Sequence, residues 1–212
     1  MKENILQKVR FLPWVGDNYE SSGFGGRRIL VLGESHYCAN PQDAVSTITR
    51  DVIQGLLDPN RIHEPYMNTY TKFERTMVGK PIWGEERCAF WHSISFYNYI
   101  QSPLDGPRMA PSSEMYAQSE PAYWEVVEVL KPDVILCWSA RLFEHLPKAK
   151  AGIASTQDTI DVVNFGGPTM YRKYKMEDGH ETAVFFIQHP SSGFSPDYWH
   201  NAISQFLESC EK

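Results

Sequence analysis

The run Arg28-Ile29-Leu30-Val31-Leu32-Gly33 constrains this chain more than any other feature. Four apolar residues in succession follow two arginines and end in glycine. A strand with one face in water alternates polar and apolar residues. An uninterrupted run of this length suits a strand buried on both faces, as in a parallel sheet covered by helices. The same signature recurs in Asp133-Val134-Ile135-Leu136-Cys137-Trp138 and in Ala183-Val184-Phe185-Phe186-Ile187.

Helical spacing lies between these runs. Residues Asp43 to Leu57 place Ala44, Val45, Ile48, Val52, Ile53, Leu56 and Leu57 near one face, and Asp58-Pro59-Asn60 stops them. Further helices are expected over Ser119 to Leu130, Ala140 to Leu146 and Pro196 to Cys210, the last with Trp199, Ile203, Phe206 and Leu207 inward. Residues 60 to 88 read as one or two short helices, Ala89 to Phe96 as a strand, and Ser102 to Pro111 as a loop. Ile160 to Val163 reads as a short strand. The stretch between it and the last strand, containing Gly166-Gly167-Pro168 and Asp178-Gly179, reads as a hairpin excursion. Buried strands alternating with helices give an α/β fold with a central, mostly parallel sheet of four to five strands. With 212 residues, 42% of them hydrophobic, and no linker, repeat or low-complexity segment, residues 1 to 212 are expected to form a single domain.

Composition limits the function classes. Met1-Lys2-Glu3-Asn4-Ile5 carries no apolar leader, and the longest apolar stretches fall far short of the roughly 20 residues of a membrane span, so a cytoplasmic protein without membrane contact is expected. Cys38, Cys88, Cys137 and Cys210 are far apart in sequence and read as free thiols, with no metal and no cofactor expected. The net charge of -6 weakens general attraction to phosphate. Arg27-Arg28 and Arg172-Lys173-Tyr174-Lys175 remain candidates for local basic patches.

In open parallel sheets ligands bind beyond the carboxyl ends of the strands. Two polar loops follow strands here, Gly33-Glu34-Ser35-His36-Tyr37 and His189-Pro190-Ser191-Ser192-Gly193. Gly33 allows a sharp turn and close ligand approach. Glu34 can accept hydrogen bonds or position a water as a general base. His189 can stabilise developing negative charge, and Ser191 and Ser192 can donate to anions or cap the next helix. A capping serine in a polar turn and a structural histidine are the plain alternatives. Asn98 carries both a donor and an acceptor, enough to read the polar edge of a base, and otherwise serves as a turn residue. Tyr66, Tyr70 and Phe73 either stack on a planar ligand or pack a satellite core.

Taken together these residues resemble the uracil-DNA glycosylase superfamily. Leu30-Val31-Leu32-Gly33-Glu34-Ser35-His36-Tyr37 is similar to its first motif, His189-Pro190-Ser191 to its last, and Lys131-Pro132-Asp133-Val134-Ile135-Leu136 to an intervening strand. The resemblance implies a three-layer α/β/α sandwich. It implies a DNA or nucleobase partner and hydrolytic removal of a deaminated base. Glu34 and His189 would be catalytic, Gly33, Ser35, Tyr37 and Asn98 would bind the base, and Ser191, Ser192 and Phe194 would grip the backbone or fill the gap left by a flipped base. Ser35 stands where one branch of the family has a water-activating Asp. The four clustered cysteines of the iron–sulfur branch are missing, and Ser46, Thr47 and Ile48 occupy the stretch where the family places a stacking aromatic. Those departures favour a non-catalytic member that binds a nucleobase, a nucleotide or a protein. A third reading is a small-molecule hydrolase using Glu34 and His189, with a metal recruited by His36.

Overall fold

The computed structural model describes residues 6–38, 40–106, 109–161, 168–191 and 193–210. Among them the chain is mixed α/β, with seven strands in one sheet: β1 (Trp14–Val15), β2 (Ile29–Gly33), β3 (Ser95–Asn98), β4 (Val134–Trp138), β5 (Ile153–Asp161), β6 (Pro168–Met176) and β7 (Glu181–Ile187). Six helices accompany them: α1 (Ile48–Leu57), α2 (Met67–Val78), α3 (Gly84–Ser93), α4 (Ser113–Leu130), α5 (Ala140–His145) and α6 (Pro196–Ser209). No helix among the described residues is long and apolar enough to cross a membrane.

The sheet order is β1-β3-β2-β4-β7-β6-β5. The middle pairings, β3 with β2, β2 with β4 and β4 with β7, are parallel. The outer ones, β1 with β3, β7 with β6 and β6 with β5, are antiparallel. This corrects the expected mostly parallel sheet of four to five strands: a parallel centre is extended on both sides by antiparallel strands.

The reason for the miss is visible in burial. All five residues of β2 and of β4 are buried, so both runs read plainly. In β5, Ile153-Ala154-Ser155-Thr156-Gln157-Asp158-Thr159-Ile160-Asp161, only Ile153 is fully buried. An edge strand needs little apolar signal because only one neighbour covers it. The expected strand Ile160 to Val163 touches β5 only at its end, and residues 162–167, including Val162, Val163, Gly166 and Gly167, lie outside the described residues. Within the excursion β6 carries Arg172, which is 2% exposed. Its guanidinium donates to the carbonyls of Leu146 (3.0 Å), Pro147 (3.4 Å) and Phe143 (3.5 Å), so the candidate patch Arg172-Lys173-Tyr174-Lys175 loses its first cation to the interior.

Pleating divides the core. Ile29, Val31, Phe96, Val134, Leu136, Trp138, Phe185 and Ile187 face a cluster shared with α1, α2, α3 and α6. Leu30, Leu32, Tyr97, Ile135, Cys137 and Val184 face a second cluster with α4 and α5. Alternation along buried strands sends successive side chains to opposite faces. Arg28 fixes the start of β2 against β4: its Nη2 donates to Asp133 Oδ1 at 2.9 Å, and its backbone N–H donates to Oδ2 at 2.8 Å.

Three helix boundaries differ from expectation. The segment Ala89 to Phe96 is not one strand. Residues to Ser93 close α3, with Glu85 and Glu86 favourably placed in its first turn, and the strand begins at Ser95. Helix α1 starts at Ile48 rather than Asp43, because the Ser46 carbonyl accepts from Leu12 N–H (2.8 Å) and Pro41–Asp43 forms a 3-10 turn. Helix α4 starts six residues before Ser119, capped by Ser112, whose Oγ accepts from Met115 N–H at 3.2 Å. Pro121 sits inside the helix instead of in its first turn, where proline fits best.

Candidate functional site

The carboxyl ends of β3, β2, β4 and β7 lie side by side, and they present Asn98, Gly33-Glu34, Trp138-Ser139 and Gln188-His189 in that order along the edge. Backbone bonds fix the first loop beyond β2. Tyr99 N–H donates to Gly33 O (3.0 Å), Ile100 N–H to Glu34 O (2.8 Å), Leu104 N–H to His36 O (2.9 Å) and Cys38 N–H to Leu104 O (3.0 Å).

Gly33 and Asn98 are register partners. A Cβ at Gly33 would sit 2.2 Å from Asn98 Oδ1 and 3.1 Å from Phe96 Cζ, so only glycine lets the Asn98 amide lie flat against this strand. Asn98 is 5% exposed and His36 6% exposed. The Asn98 Nδ2 lies 3.0 Å from His36 Nε2, and Thr49 Oγ1 of α1 lies 2.8 Å from the same nitrogen. The Phe11 ring meets the imidazole edge-on at 5.2 Å. Burial lowers the His36 pKa from 6.5 to about 4, so the ring is neutral and offers one donor and one acceptor.

The pleat sends Glu34 to the other side of the sheet, toward α4 and α5. Tyr116 Oη donates to Glu34 Oε1 at 2.6 Å, Arg141 Nε donates to the same oxygen at 2.9 Å, and Arg141 Nη2 donates to Oε2. The Glu34 side chain is 10% exposed and that of Arg141 49%. Burial, and then the bond to Glu34, push the Tyr116 hydroxyl far above its ordinary range, so it stays a donor. His145 stacks on Tyr116, with centroids 4.0 Å apart, and its Nδ1 lies 2.8 Å from Arg141 O. Arg141 is placed by Ser139, which caps α5 by accepting from Leu142 N–H (3.2 Å). Ser139 has φ 130 and ψ 146, a region favouring glycine, so the turn that sets Arg141 on Glu34 is strained.

His189 is partly exposed and lies edge-on to Trp138 at 5.7 Å. Burial lowers its pKa, the Glu34 charge opposes that shift, and Arg141 adds to it. With β7 two strands from β2, His189 and Glu34 are roughly 10 Å apart along the edge. The Ser191 N–H donates to His189 O (2.7 Å), and Lys72 Nζ donates to Ser191 O (2.6 Å), so the exposed Ser191 is held by α2. Ser192 lies outside the described residues. Phe194 is 7% exposed and stacks on Trp199 with planes 4° apart, so it packs in the core instead of projecting from the loop. The Ser35 Oγ is buried with no hydrogen-bond partner among the described residues, and Tyr37 is 49% exposed.

The structure thus groups Gly33, Asn98 and His189 on the α1/α2/α6 side and separates Glu34 from them by the pleat. It also adds residues that the sequence did not single out. Thr49, Tyr116 and Arg141 carry no local motif. Trp138 and Ser139 could have been found, since they end a buried strand. Tyr70 lies 5.5 Å from Phe96 and 5.6 Å from Trp138, ring centre to ring centre, which makes an aromatic floor under Gly33. Its hydroxyl titrates well above the ordinary range, through burial and then through the Tyr66 and Tyr37 phenols beside it. Among the described residues no group of three or more His, Cys, Asp or Glu side chains gathers to hold a metal. No family model matches this chain, and no curated protein matches it in sequence.

Proposed function

We propose that this chain is a hydrolase of the uracil-DNA glycosylase kind that removes uracil or a related deaminated base from DNA, within the three-layer α/β/α sandwich of that family. One observation carries the reading. Asn98, Gly33 and His189 lie on one face of the sheet at the carboxyl ends of β3, β2 and β7, and Phe96, Tyr70 and Trp138 form a linked set of aromatic rings on that face. An amide beside a backbone that only glycine permits suits the polar edge of a base. A neutral imidazole can donate to the oxygen that gains charge as the base leaves. Glu34, turned to the other face and paired with Arg141, would act only from a distance, as a partly offset negative charge that favours positive charge developing on the sugar.

A specific observation favours a second reading, a non-catalytic nucleobase- or nucleotide-binding member of the same fold. Both Glu34 oxygens are occupied by Arg141, and one also by Tyr116. A carboxylate held this way is a poor base for water.

Labelled single- and double-stranded oligonucleotides containing uracil separate the two. Alkaline cleavage after incubation measures base removal, and fluorescence anisotropy measures binding. Product above a Glu34→Ala, His189→Ala double variant supports the hydrolase. Binding without product supports the second reading, and neither binding nor product overturns both.

A further inference from the structure

Two polar groups at the carboxyl edge are buried with no hydrogen-bond partner among the described residues, Trp138 Nε1 at the end of β4 and Ser35 Oγ just past β2. Trp138 is 2% exposed. The contrast with other buried indoles is direct. Trp14 Nε1 donates to Trp91 O (2.8 Å), Trp91 Nε1 to Glu74 Oε2 (3.1 Å) and Trp124 Nε1 to Glu120 Oε1 (3.2 Å). A buried N–H left unmade costs free energy, and such groups cluster where function demands them. The remaining buried groups without partners have a different setting. The Tyr97 and Tyr123 hydroxyls belong to the opposite core cluster, and the Arg75 and Arg172 guanidinium groups bond through their other nitrogens.

The surroundings of Trp138 define what it can take. Its ring centre lies 5.1 Å from Phe96, 5.2 Å from Phe73, 5.6 Å from Tyr70 and 5.7 Å from His189. Of these, Tyr70 and His189 are partly exposed and the others are buried. An indole N–H only donates, and an imidazole nitrogen can donate beside it. Neither group is a fixed cation, and the two cations described near this edge are already engaged, Lys72 by the Ser191 carbonyl and Arg141 by Glu34. A flat ring carrying a carbonyl oxygen fits both the aromatic walls and the donors.

We propose that Trp138 is a ligand-binding residue, its indole N–H donating, beside His189, to a carbonyl oxygen of a planar heterocycle such as a pyrimidine. This rests on the reading of the strand ends as a nucleobase site and names a residue that grips the ring.

The test uses the full chain and a labelled single-stranded oligonucleotide with one uracil. Trp138→Phe keeps the aromatic packing and removes the donor. Its Kd should rise about fivefold to tenfold, the size of one lost hydrogen bond. In the unaltered protein the Trp138 indole 1H–15N resonance should move downfield when the oligonucleotide binds, a shift that stands on its own if the variant does not fold. Equal affinity in both proteins with an unmoved indole resonance would overturn the inference and leave the base-binding reading intact. No binding by the unaltered protein overturns both.

Discussion

His36 makes stability depend on pH in a defined window. The ring is enclosed by Asn98, Thr49 and Phe11, and burial lowers its pKa to about 4 against 6.5 in the unfolded chain. The folded state therefore disfavours the charged ring. Its contribution is fully present above pH 6.5 and is lost as the pH falls toward 4, because the unfolded chain takes up the proton first. The two values correspond to roughly 3 kcal/mol in the limit, and to about 2 kcal/mol between about pH 7 and about pH 4.5. His189, also lowered, pulls the same way and is unaffected by a change at residue 36. Urea unfolding of the natural chain and of His36→Gln at both pH values isolates the effect. The natural chain should lose about 2 kcal/mol more than the variant on acidification. Parallel losses in the two proteins would refute the claim that a neutral, enclosed His36 sets this dependence.

Gly33→Ala forces a methyl group onto Asn98 Oδ1, which His36 holds in place, and should lower stability by about 2 kcal/mol in thermal denaturation. Adding Asn98→Ala should recover most of that loss, and an unchanged melting temperature for the single variant would contradict the close approach. Glu34 and Arg141 should show a coupling on the order of 1 kcal/mol in a double-mutant cycle of Glu34→Gln and Arg141→Met, modest because the Arg141 side chain is 49% exposed. Zero coupling would mean that the clamp is not maintained in solution. Arg172→Met leaves the carbonyls of Phe143, Leu146 and Pro147 without their buried donor and should cost about 2–4 kcal/mol by urea unfolding, with Arg172→Lys less damaging. Stability within about 0.5 kcal/mol of the natural chain would remove Arg172 from the structural account.

The parallel centre of the fold was legible because it is buried on two sides. Ile29 to Leu32 and Val134 to Trp138 have no polar position to confuse the reading, and their neighbours in the sheet follow from that. The antiparallel margin was not legible, for the same physical reason in reverse. Ser155, Thr156, Gln157, Asp158 and Thr159 can occupy a strand whose outer edge and faces meet water. The stretch Ala89 to Phe96 differs for another reason. Phe90 and Trp91 are consecutive and both buried, as in a buried strand, yet they lie in the last turns of α3, where the Trp91 indole donates to Glu74.

At the candidate site, sequence position put both loops at the carboxyl edge of the sheet and could not assign the faces. Gly33 and Glu34 are neighbours in the chain, and a motif reading treats them as one unit. On the pleated sheet they part. Gly33 looks toward Asn98, Phe96 and the His189 side, while Glu34 passes to α4 and α5 and meets Tyr116 and Arg141. Residues from distant segments then decide what each can do. Tyr116 lies 82 positions from Glu34 and Arg141 107, separations at which no local spacing rule operates. Glu34 acts across the strand end chiefly through its charge, which His189 feels, and Arg141 partly cancels that charge. Loosening Arg141 would therefore release both Glu34 oxygens and change the net charge that His189 feels. Arg141 stands two residues after Ser139, whose positive φ and cap on Leu142 N–H begin α5, so the turn after β4 sets where this charge is placed.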